Sequence, residues 1–436
     1  MKLTGQHVAI LGAGRSGRAA AELCLKLGAE VTVYDTNKIS GSWPEGILLE
    51  GEATHETAEE QAFDLVVLSP GIDTNSQFAQ AFAAKSDGFI GEMELGFQNY
   101  EGLVVAITGT NGKTTTTELI STFLNEGGIT CVPCGNHGRP LSDVVMDENP
   151  PRAIALEASS FQLETIDTFC PDIAVWLNFA PDHMDRYRSL EDYRAAKMKM
   201  FDNMGSDGVV VAKHGENLNT IKAKVIRFMS EWDQEEHCEL QMRNGQLYFQ
   251  NEPFVGLDET NLRGLHNAEN LLAAAGVAHF AGVQFADMKR ALKHFTPPPH
   301  RCEWVRTLDD VEYLNDSKAT NLHALESALR ALSRPIVLIA GGKEKGLDYS
   351  PLKEVLVECT LAMVTFGEIG PQLGSLFSEV VKTETVKTLE EAVEAARDFA
   401  PAGSTVLFSP GTSSFDQFSS YEERGDAFRT IVNQLK

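Results

Sequence analysis

The stretch that most constrains the fold of this chain is Leu103–Thr117, which reads LVVAITGTNGKTTTT. Its first residues, Leu103–Ile107, form a continuous apolar run, as expected of a strand buried on both faces. A glycine-rich loop, Thr108–Lys113, follows at once, and the sequence predicts a helix that opens at Thr114. This order forms a phosphate cradle, because backbone N–H groups and the helix dipole face the anion. In such a cradle Lys113 adds a positive charge and the Thr114 hydroxyl can bind Mg²⁺.

The loop is shorter than the usual phosphate-binding pattern, which has a glycine five positions before its Gly-Lys pair. Ile107 occupies that position here, and the loop that remains is G-T-N-G-K-T. Because the loop lies between a buried strand and a helix start, nucleotide-phosphate binding is favoured over a chance surface turn.

The charge of the chain limits its partners. The formal net charge is −25, from 62 acidic and 37 basic residues. This charge argues against non-specific binding to nucleic acid or to an anionic membrane, because both require a basic surface. An anionic substrate must therefore meet local basic residues. The length of 436 residues favours two to four domains.

The sequence also predicts a cytoplasmic protein without membrane insertion. No stretch approaches the roughly 20 apolar residues of a membrane span, and the run Val8–Leu11 is too short for a signal-peptide core. Seven cysteines without regular spacing are typical of reduced cytoplasmic thiols. Cys131 and Cys134 form a lone CxxC pair, for which burial or coincidence is favoured over zinc.

A second glycine-rich loop lies near the beginning of the chain. Val8–Leu11 reads as a strand, and the GAGRSG motif at Gly12–Gly17 leads into a helix with apolar periodicity. The next strand, Val31–Asp35, ends in an acid about 20 residues on, as in dinucleotide-binding units where an acid contacts the ribose. Because any nucleotide diphosphate suits such a cradle, the motif does not by itself indicate NAD.

Two further strands end in residues suited to metal or substrate binding. Ala153–Leu156 is followed by Glu157, where a protein with a phosphate loop is expected to place a second contact to Mg²⁺. Ile173–Leu177 leads to the pair Asp182 and His183. Beside a magnesium-nucleotide site, this pair favours a metal or substrate role over a helix cap with a surface histidine.

The prolines at Pro297–Pro299 mark the clearest boundary, because they forbid helix and form a stiff extended connector. A small antiparallel piece is predicted before them, around a turn at Asn251. Beyond them, strands that end in polar turns alternate with helices, which favours a parallel sheet with ligand-facing loops at one edge. The fold class is therefore predicted to be α/β. These later strands are Glu312–Leu314, Ile336–Ala340, Met363–Phe366 and Thr405–Phe408.

Taken together, the motifs resemble those of the Mur ligases, ATP-dependent enzymes that form amide bonds in bacterial cell-wall precursors. The resemblance covers essentially the full length, and it is strongest to the members that add D-glutamate. The short phosphate loop fits this family. The motifs are, in order, GAGRSG, SPGI, GEMEL, TGTNGKTTTT, GNHGRP, LEASSFQLE, NFAPDHMDRY, YRAAK, GLHNAEN, HRCEW, NDSKATN, AGGKEKG and SPGTSSFDQFSSYEERG.

The resemblance implies three domains. Residues 1–92 would be a Rossmann-like domain for the UDP-sugar, and residues 93–297 a P-loop ATPase with a parallel sheet plus a small antiparallel sheet. Residues 298–436 would be a C-terminal Rossmann-like domain that binds ATP and the incoming amino acid. The family suggests a monomer.

The resemblance also implies the reaction. ATP would phosphorylate the carboxylate of UDP-N-acetylmuramoyl-L-alanine, the amine of D-glutamate would attack the acyl phosphate, and a tetrahedral intermediate would expel phosphate. A carboxylate is a poor acyl donor, so phosphoryl transfer and its charge neutralisation suit the task.

For ATP and two Mg²⁺ ions, the resemblance implies a set of phosphate, metal and nucleotide contacts. Lys113 and Thr114 would hold phosphates and one Mg²⁺, with Glu157 as its carboxylate ligand. His183 would bind the second Mg²⁺, and Lys197 would carry a CO₂-derived carbamate, although composition does not distinguish it from a surface lysine. Further ATP contacts, including the catalytic Lys318, would be Gly109, Thr110, Asn111, Gly112, Thr115, Asn270, Arg301, Asp316 and Lys318.

The resemblance places the other two substrates on different loops. A cationic Lys345 suits the side-chain carboxylate of D-glutamate, whereas Tyr421 departs from the Phe that close relatives often carry. The residues implied for the UDP-sugar are Arg15, Ser16, Asp35, Thr36, Gly71, Asn136 and His183. Those implied for D-glutamate are His183, Thr320, Lys345, Ser414 and Tyr421.

Three other functions stay open at this stage. The first is another ligase of the same family. The L-alanine-adding member has a His in its phosphate loop where Asn111 stands, and the diamino-acid adders carry a DNP-type motif that is absent from this sequence. The folate ligases lack a UDP-binding domain, whereas the beginning of this chain resembles one. An NAD-dependent oxidoreductase would use the GAGRSG motif and Asp35, but it leaves Glu157 and the Asp182–His183 pair without a role. A nucleotide-gated switch protein would hydrolyse ATP regardless of any amino acid.

Overall fold

The computed structural model describes residues 2–59, 61–184, 186–230, 238–262, 264–332 and 335–436. Within these ranges the strands form three separate sheets that follow one another along the chain, each packed against helices. The fold is therefore α/β with three domains, as predicted. None of the helices in the described ranges has the length and apolar character needed to cross a membrane.

The first sheet has five parallel strands, and it positions the GAGRSG loop. Its elements are β1 (His7–Leu11), α1 (Arg15–Lys26), β2 (Glu30–Tyr34), β3 (Ile47–Glu50), β4 (Leu65–Leu68), α2 (Gln77–Ala83), β5 (Phe89–Gly91) and α3 (Glu92–Phe97). The strand order is β3-β2-β1-β4-β5, so the chain reverses direction across the sheet between β1 and β4. Ligands bind at such a switch point, and the GAGRSG loop leaves β1 there.

The central sheet positions the phosphate loop. Its elements are β6 (Leu103–Thr108), α4 (Lys113–Glu126), β7 (Cys131–Gly135), α5 (Leu141–Val144), β8 (Ala153–Glu157), α6 (Ser160–Leu163), β9 (Ile173–Trp176), α7 (Leu190–Met198), β10 (Val209–Lys213), β11 (Lys224–Met229), β12 (Leu240–Arg243), β13 (Gln246–Phe249), β14 (Glu252–Gly256), α8 (Leu265–Phe280) and α9 (Phe285–Leu292). The order β14-β13-β12-β11-β10-β9-β6-β8-β7 places β6 between β9 and β8.

The predicted antiparallel piece forms one edge of this central sheet. β12, β13 and β14 pair antiparallel, and β12 continues the sheet from β11. Gln250 and Asn251 make the turn between β13 and β14 with φ of 47° and 71°. The opposite edge of this sheet is β7, which contains Cys131 and Cys134. Both are buried free thiols, and burial was favoured over zinc binding from the sequence.

Helices α4 and α8 pack on each other over this sheet. Apolar side chains of α4, such as Phe123, join the same buried cluster as the small residues Ala273–Ala275 of α8. Small residues let two helix axes approach closely, and each large apolar side chain that is buried contributes about 1.5–3 kcal/mol. This packing fixes the start of α4 relative to the start of α8, where the nucleotide residues lie.

The third sheet has five parallel strands and one antiparallel edge strand. Its elements are β15 (Glu303–Leu308), β16 (Val311–Asn315), α10 (Leu322–Ala331), β17 (Ile336–Gly341), α11 (Lys353–Cys359), β18 (Thr360–Phe366), α12 (Gly370–Phe377), β19 (Lys382–Thr385), α13 (Leu389–Phe399), β20 (Thr405–Phe408) and α14 (Tyr421–Gln434). The order is β15-β16-β20-β17-β18-β19. Its carboxyl-end loops include those after β16, β17 and β20, which carry the residues predicted to contact D-glutamate.

The carboxylate of Glu94 holds α3, the helix that follows the first sheet, on the central unit. It is fully buried and accepts hydrogen bonds from the backbone N–H groups of Asp167, Thr168 and Phe169 at 3.0, 2.9 and 3.1 Å. A charged acceptor facing several N–H groups makes strong hydrogen bonds. This contact ties the helix after the first sheet to the turn before β9.

We expect Glu94→Ala to lower the free energy of unfolding by about 2–4 kcal/mol, because three backbone N–H groups lose the buried carboxylate that accepts their hydrogen bonds. Glu94→Gln should be less destabilising, since its amide oxygen can still accept. Urea unfolding followed by circular dichroism measures the difference, with Glu101→Ala at an exposed position as the control. Equal stability of Glu94→Ala and Glu101→Ala would show that this carboxylate does not hold α3 on the central unit.

Candidate active site

The phosphate loop takes its shape from two glycines. Gly109 and Gly112 have φ of 153° and 85°, in the region that other residues rarely adopt. A Cβ at Gly112 would lie 2.2 Å from Oδ1 of Asn270 in α8. Gly112 directly precedes α4, so the free N–H groups at the start of that helix open into the loop.

Lys113 lies inside this loop. Its Nζ donates hydrogen bonds to the carbonyls of Gly109 and Thr110 at 2.9 and 2.8 Å. Burial lowers the pKa of Lys113, and the carboxylates of Glu157 and Asp182 oppose that effect. A bound phosphate would give this ammonium a stronger partner than the two carbonyls.

Glu157 ends β8, next to β6, and its side chain is 3% exposed. Its Oε1 accepts a hydrogen bond from Nδ2 of Asn136 at 2.7 Å, whereas Oε2 is buried with no hydrogen-bond partner in the described structure. Burial acts to raise the pKa of Glu157, but the charge of Lys113 and the hydrogen bond from Asn136 outweigh it and hold the pKa below its usual value. An ionised carboxylate with one free buried oxygen fits a cation.

Lys197 is the second lysine at the loop and, unlike the half-buried Lys113, it is only 1% exposed. Its Nζ donates to the Gly109 carbonyl at 2.9 Å, the same oxygen that Lys113 contacts, and lies 4.8 Å from the ring centre of Tyr193. Burial, reinforced by the charge of Lys113, lowers the pKa of Lys197 well below its ordinary value. Two amines on one carbonyl favour either a bound anion or the loss of one positive charge.

His183 faces the same space from the loop after β9. Its backbone φ of 56° is left-handed, which is uncommon for a residue with a Cβ and often marks a functional site. Its ring packs 4.8 Å from Phe161, and its Nε2 lies 3.8 Å from Oδ2 of Asp182. Burial and the charges of neighbouring lysines lower the pKa of His183, although Asp182 opposes this, so a neutral ligand-competent imidazole is favoured. Asp185 of the same motif lies outside the described residues.

The C-terminal unit contacts the loop directly. Nη2 of Arg301 donates to Oγ1 of Thr114 at 2.7 Å. Nζ of Lys318 lies 3.6 Å from the ring centre of Tyr421, and burial lowers its pKa to about 8. Burial also raises the pKa of Asp316 to about 7, against the hydrogen bond that it accepts from Ser409. The basic groups that an acidic protein needs for an anion are therefore gathered at this place.

A cavity of about 410 Å³ opens beside the loop, between the starts of α4 and α8 and one side of α10. Its volume falls in the range of small-molecule pockets. The predicted ATP residues that line it are Asn111, Gly112, Thr115, Asn270, Arg301, Asp316 and Lys318. Thus the sequence motifs that are far apart in the chain meet around one cavity.

The residues predicted for the UDP-sugar lie mostly at the carboxyl edge of the first sheet. Asp35 accepts hydrogen bonds from the N–H groups of Ala13 and Asn37, both at 2.8 Å, so its carboxylate shapes the GAGRSG loop. Burial acts to raise the pKa of Asp35, but these hydrogen bonds lower it. Arg15 donates to the Gly138 carbonyl at 2.6 Å, which brings this loop to the central unit. Of the other residues of the set, Ser16 lies in the first turn of α1, and Thr36 and Gly71 lie in loops at the same edge. Asn136 lies beside Glu157, and His183 lies in the loop after β9.

The residues predicted for D-glutamate come from three loops of the C-terminal sheet. Thr320 follows β16, Lys345 follows β17 and Ser414 follows β20, whereas Tyr421 begins α14. The charge of Lys345 is one of the influences that lower the pKa of His183. Ser414 is buried, and Thr320 and Lys345 are half-buried.

Sequence reasoning did not assign Asn178 a role at the loop. Its Oδ1 accepts from the N–H of Asn111 at 2.9 Å, and its Nδ2 donates to the carbonyl of Asn111 at 3.1 Å. The side chain thus braces the loop backbone in the manner of a neighbouring strand. Asn178 lies just after β9, and polar residues that directly follow a parallel strand often lie at the ligand-binding edge of the sheet, so its position was a usable signal.

We expect Gly112→Ala to abolish the shift in melting temperature that ATP produces, because the new Cβ meets Asn270 and the φ becomes strained. Gly128→Ala is the matched control, since Gly128 has φ of 80° but no atom within 4 Å of a Cβ. Thermal unfolding with and without ATP measures both variants. An ATP shift in Gly112→Ala equal to that in Gly128→Ala would rule out this loop as the nucleotide site.

Comparison with known proteins agrees with this arrangement. Two family models match, the Mur ligase middle domain at residues 107–278 and the "Mur ligase, glutamate ligase domain" at residues 300–411. The UDP-N-acetylmuramoylalanine–D-glutamate ligase of Salinibacter ruber is 37% identical over 98% of this chain and 97% of its own. The enzyme of the same name from Koribacter versatilis is 37% identical over 100% and 99%. The solved UDP-N-acetylmuramate-alanine ligase of Thermotoga maritima has the same fold, with a TM-score of 0.63 at 18% identity over 99% of this chain and 100% of that one. Over nearly its whole length, this chain belongs to the Mur ligase family.

Proposed function

We propose that this protein joins D-glutamate to UDP-N-acetylmuramoyl-L-alanine, with cleavage of ATP to ADP and phosphate, in peptidoglycan precursor synthesis. Relatives with 37% identity over nearly the full length carry the corresponding name, which supports the choice of substrates. The structural observation that carries the proposal is the meeting of Lys113, Lys197 and Glu157 at one phosphate loop. Such a site suits phosphoryl transfer to a carboxylate.

The proposed division of labour follows the three sheets. Residues 1–92 bind the UDP-sugar, residues 93–297 bind ATP and metal, and residues 298–436 bind ATP and the amino acid. Asp35, which orders the GAGRSG loop, serves the uridine nucleotide with Arg15, Ser16, Thr36 and Gly71. The GAGRSG motif therefore needs no NAD.

In the first step, a carboxylate oxygen of the muramoyl substrate attacks the γ-phosphorus of ATP, the bond to the β–γ bridging oxygen breaks, and ADP leaves. Lys113 and the N–H groups at the start of α4 hold the phosphates, with Arg301 and Lys318 reaching in from the C-terminal unit. Catalysis here consists mainly of positioning and charge neutralisation, which these half-buried cations supply. The loop residues Gly109, Thr110, Asn111, Gly112, Thr114 and Thr115 surround the phosphates, and Asn270 and Asp316 contact the nucleotide.

The residues present fit magnesium. Glu157 offers a buried oxygen without a partner and Thr114 a hydroxyl, and Mg²⁺ is commonly bound by one or two carboxylates together with substrate phosphates. No group of three His, Cys, Asp or Glu side chains in the described ranges is placed to hold a metal alone, which agrees with sites completed by phosphate. Bound Mg²⁺ would neutralise charge on the phosphates. His183 is the proposed ligand of a second ion.

Lys197 is proposed to carry a carbamate. An ammonium beside two metal ions would repel them, whereas a carbamate supplies anionic oxygens. Its strongly lowered pKa favours the neutral amine, which is the form that adds to CO₂ with loss of one proton. The modification would also relieve the repulsion between Lys197 and Lys113.

In the second step, the amine of D-glutamate attacks the carbonyl carbon of the acyl phosphate, and the tetrahedral intermediate expels phosphate. Lys345 is proposed to face the side-chain carboxylate, with Thr320, Ser414 and Tyr421 completing the amino-acid site and His183 near the reacting atoms. Asn136, held by Glu157, is proposed to contact the muramoyl part. The proposal further includes a cytoplasmic monomer without nucleic-acid partners.

We expect phosphate release that requires ATP, UDP-N-acetylmuramoyl-L-alanine and D-glutamate together. A panel of amino acids with this acceptor, scored by released phosphate, tests the proposal. A preference for L-alanine with UDP-N-acetylmuramate would support the alanine-adding alternative. ATP hydrolysis indifferent to amino acids would support a nucleotide switch, and thermal protection by NADH rather than by a uridine nucleotide would support an oxidoreductase.

We expect Lys197→Ala to lose ligase activity by at least about 100-fold, because a metal-binding group and a buried charge are lost together. Small carboxylic acids should restore part of the activity by supplying the missing oxygens. The control is Lys199→Ala, whose Nζ donates to the carbonyl of Glu164 instead. Normal ligation by Lys197→Ala would contradict the carbamate.

A further inference from the structure

A chain of side-chain hydrogen bonds joins the C-terminal unit to the phosphate loop, and the donor and acceptor of each bond can be deduced. Asn321 caps α10, and its Oδ1 accepts from the N–H of Ala324 at 2.9 Å. A backbone N–H can only donate, so this bond fixes the orientation of the Asn321 amide. Its Nδ2 must then point away from the helix as a donor.

The donor of Asn321 meets two acceptors of the central unit. Nδ2 lies 2.9 Å from Oδ2 of Asp182 and 3.3 Å from Oδ1 of Asn111. Since Oδ1 of Asn111 is the accepting atom here, its Nδ2 is the donor. Nδ2 of Asn111 lies 2.8 Å from Nδ1 of His323. Therefore Nδ1 of His323 accepts, and this histidine is neutral with its proton on Nε2.

We propose that Asn321, Asn111 and His323 form a closure latch that holds α10 on the phosphate loop, and that the latch is complete only while His323 is neutral. The bond from Asn321 to Asp182 does not depend on the histidine and remains when His323 is protonated. In this role His323 is a positioning residue: it holds the wall of the nucleotide cavity and takes no part in the chemistry. The inference rests on the proposed nucleotide site, because the latch lies at the edge of that cavity.

The position of α10 gives the latch its consequence. His323, Ala324, Ser327 and Ala328 from one side of α10 line the cavity, and Asn111 lines it from the phosphate loop. When α10 is held to Asn111, a nucleotide in the cavity is enclosed between the central and C-terminal units. Separation of α10 from the loop opens the same wall, so the latch is expected to control nucleotide release.

The charges around His323 determine the sign of its pH dependence. Burial is the largest influence and lowers the pKa of His323, the ammonium of Lys213 in β10 lowers it further, and Glu326 in α10 and Glu269 in α8 raise it. His266 of α8 and Arg301 also line the cavity, and Arg330 lies on α10 itself. The pKa of His323 is therefore lower in the closed arrangement than the 6.5 of a free histidine.

The sign follows from this difference. Closure favours the neutral imidazole. The stabilisation that His323 gives to the closed arrangement is therefore fully present above pH 6.5, and it is lost as the pH falls through the lowered pKa of His323 in that arrangement. A protonated Nδ1 would point a hydrogen at the amide nitrogen of Asn111. Rotation of that amide would in turn set its nitrogen against Nδ2 of Asn321, so the chain of bonds has no second arrangement.

His323→Asn and His323→Ala test the latch together. The Oδ1 of Asn can take the place of Nδ1 as an acceptor but does not titrate, whereas Ala has no acceptor. The release rate and the affinity of a fluorescent ADP are measured from pH 5.5 to 8.5 in the full-length protein. His294→Asn, at an exposed position, is the control, and ratios to the wild-type protein cancel the titration of the nucleotide itself.

We expect His323→Ala to release ADP about 2- to 10-fold faster than the wild-type protein at pH 8, the effect of one hydrogen bond. The wild-type rate should rise as the pH falls below 6.5, whereas His323→Asn should stay slow over this range. Unchanged release by His323→Ala, or an undiminished pH dependence in His323→Asn, would overturn the latch. A wild-type protein that binds no ADP would overturn the proposed function, and the latch with it.

Discussion

The structure depends on an electrostatic imbalance at the Gly109 carbonyl. Two amines, from half-buried Lys113 and buried Lys197, donate to this one oxygen. The carboxylates of Glu157 and Asp182 act on both amines, and Glu157 has one buried oxygen without a hydrogen-bond partner among the described residues. Buried charges are costly unless they are paired, so a fold keeps such a group only where a ligand completes it. Phosphate and a divalent cation have the charges that this group lacks.

The three sheets serve this group from different directions. β6 and β8 are adjacent, so the phosphate loop and Glu157 emerge side by side at one sheet edge. Helix α7 of the central unit supplies Lys197. The C-terminal unit contacts the phosphate loop through the hydrogen bond from Arg301 to Thr114. The first sheet reaches the same region through Arg15 and the Gly138 carbonyl. An acyl-phosphate intermediate must be kept from water, and a site shared among three units can enclose it when they close.

Much of this could be predicted from the sequence, because short apolar runs followed by glycine, acid or amide residues indicate parallel strands with functional turns. The strands at β6, β8, β9 and β17 and the start of α4 agree with the predictions to within one or two residues. The strands β3 and β19 could not be found in this way, since they are short edge strands with mostly exposed side chains. Edge strands carry little apolar signal because only one side of them is paired.

The residues of the site also differ in how well the sequence predicts them. The residues of the phosphate loop were evident from their local order, but Lys197 looked like a surface lysine, because its burial depends on packing between α7 and a loop 88 positions away. Asn178 and His323 were missed for the same reason, since their partner Asn111 is distant in sequence. Local patterns reveal where a strand ends, whereas the polarity of contacts between units requires coordinates.

The central claim is that the site activates a carboxylate by phosphorylation, and the fate of the carboxylate oxygen tests it most directly. UDP-N-acetylmuramoyl-L-alanine labelled with ¹⁸O in its carboxylate would be turned over with ATP and D-glutamate, and the released phosphate would be examined by ³¹P NMR. The account predicts that each phosphate carries one oxygen from the carboxylate. The bond that breaks joins the carbonyl carbon to the oxygen bridging to phosphorus, so this former carboxylate oxygen leaves with the phosphate. Unlabelled phosphate alongside normal product would contradict it.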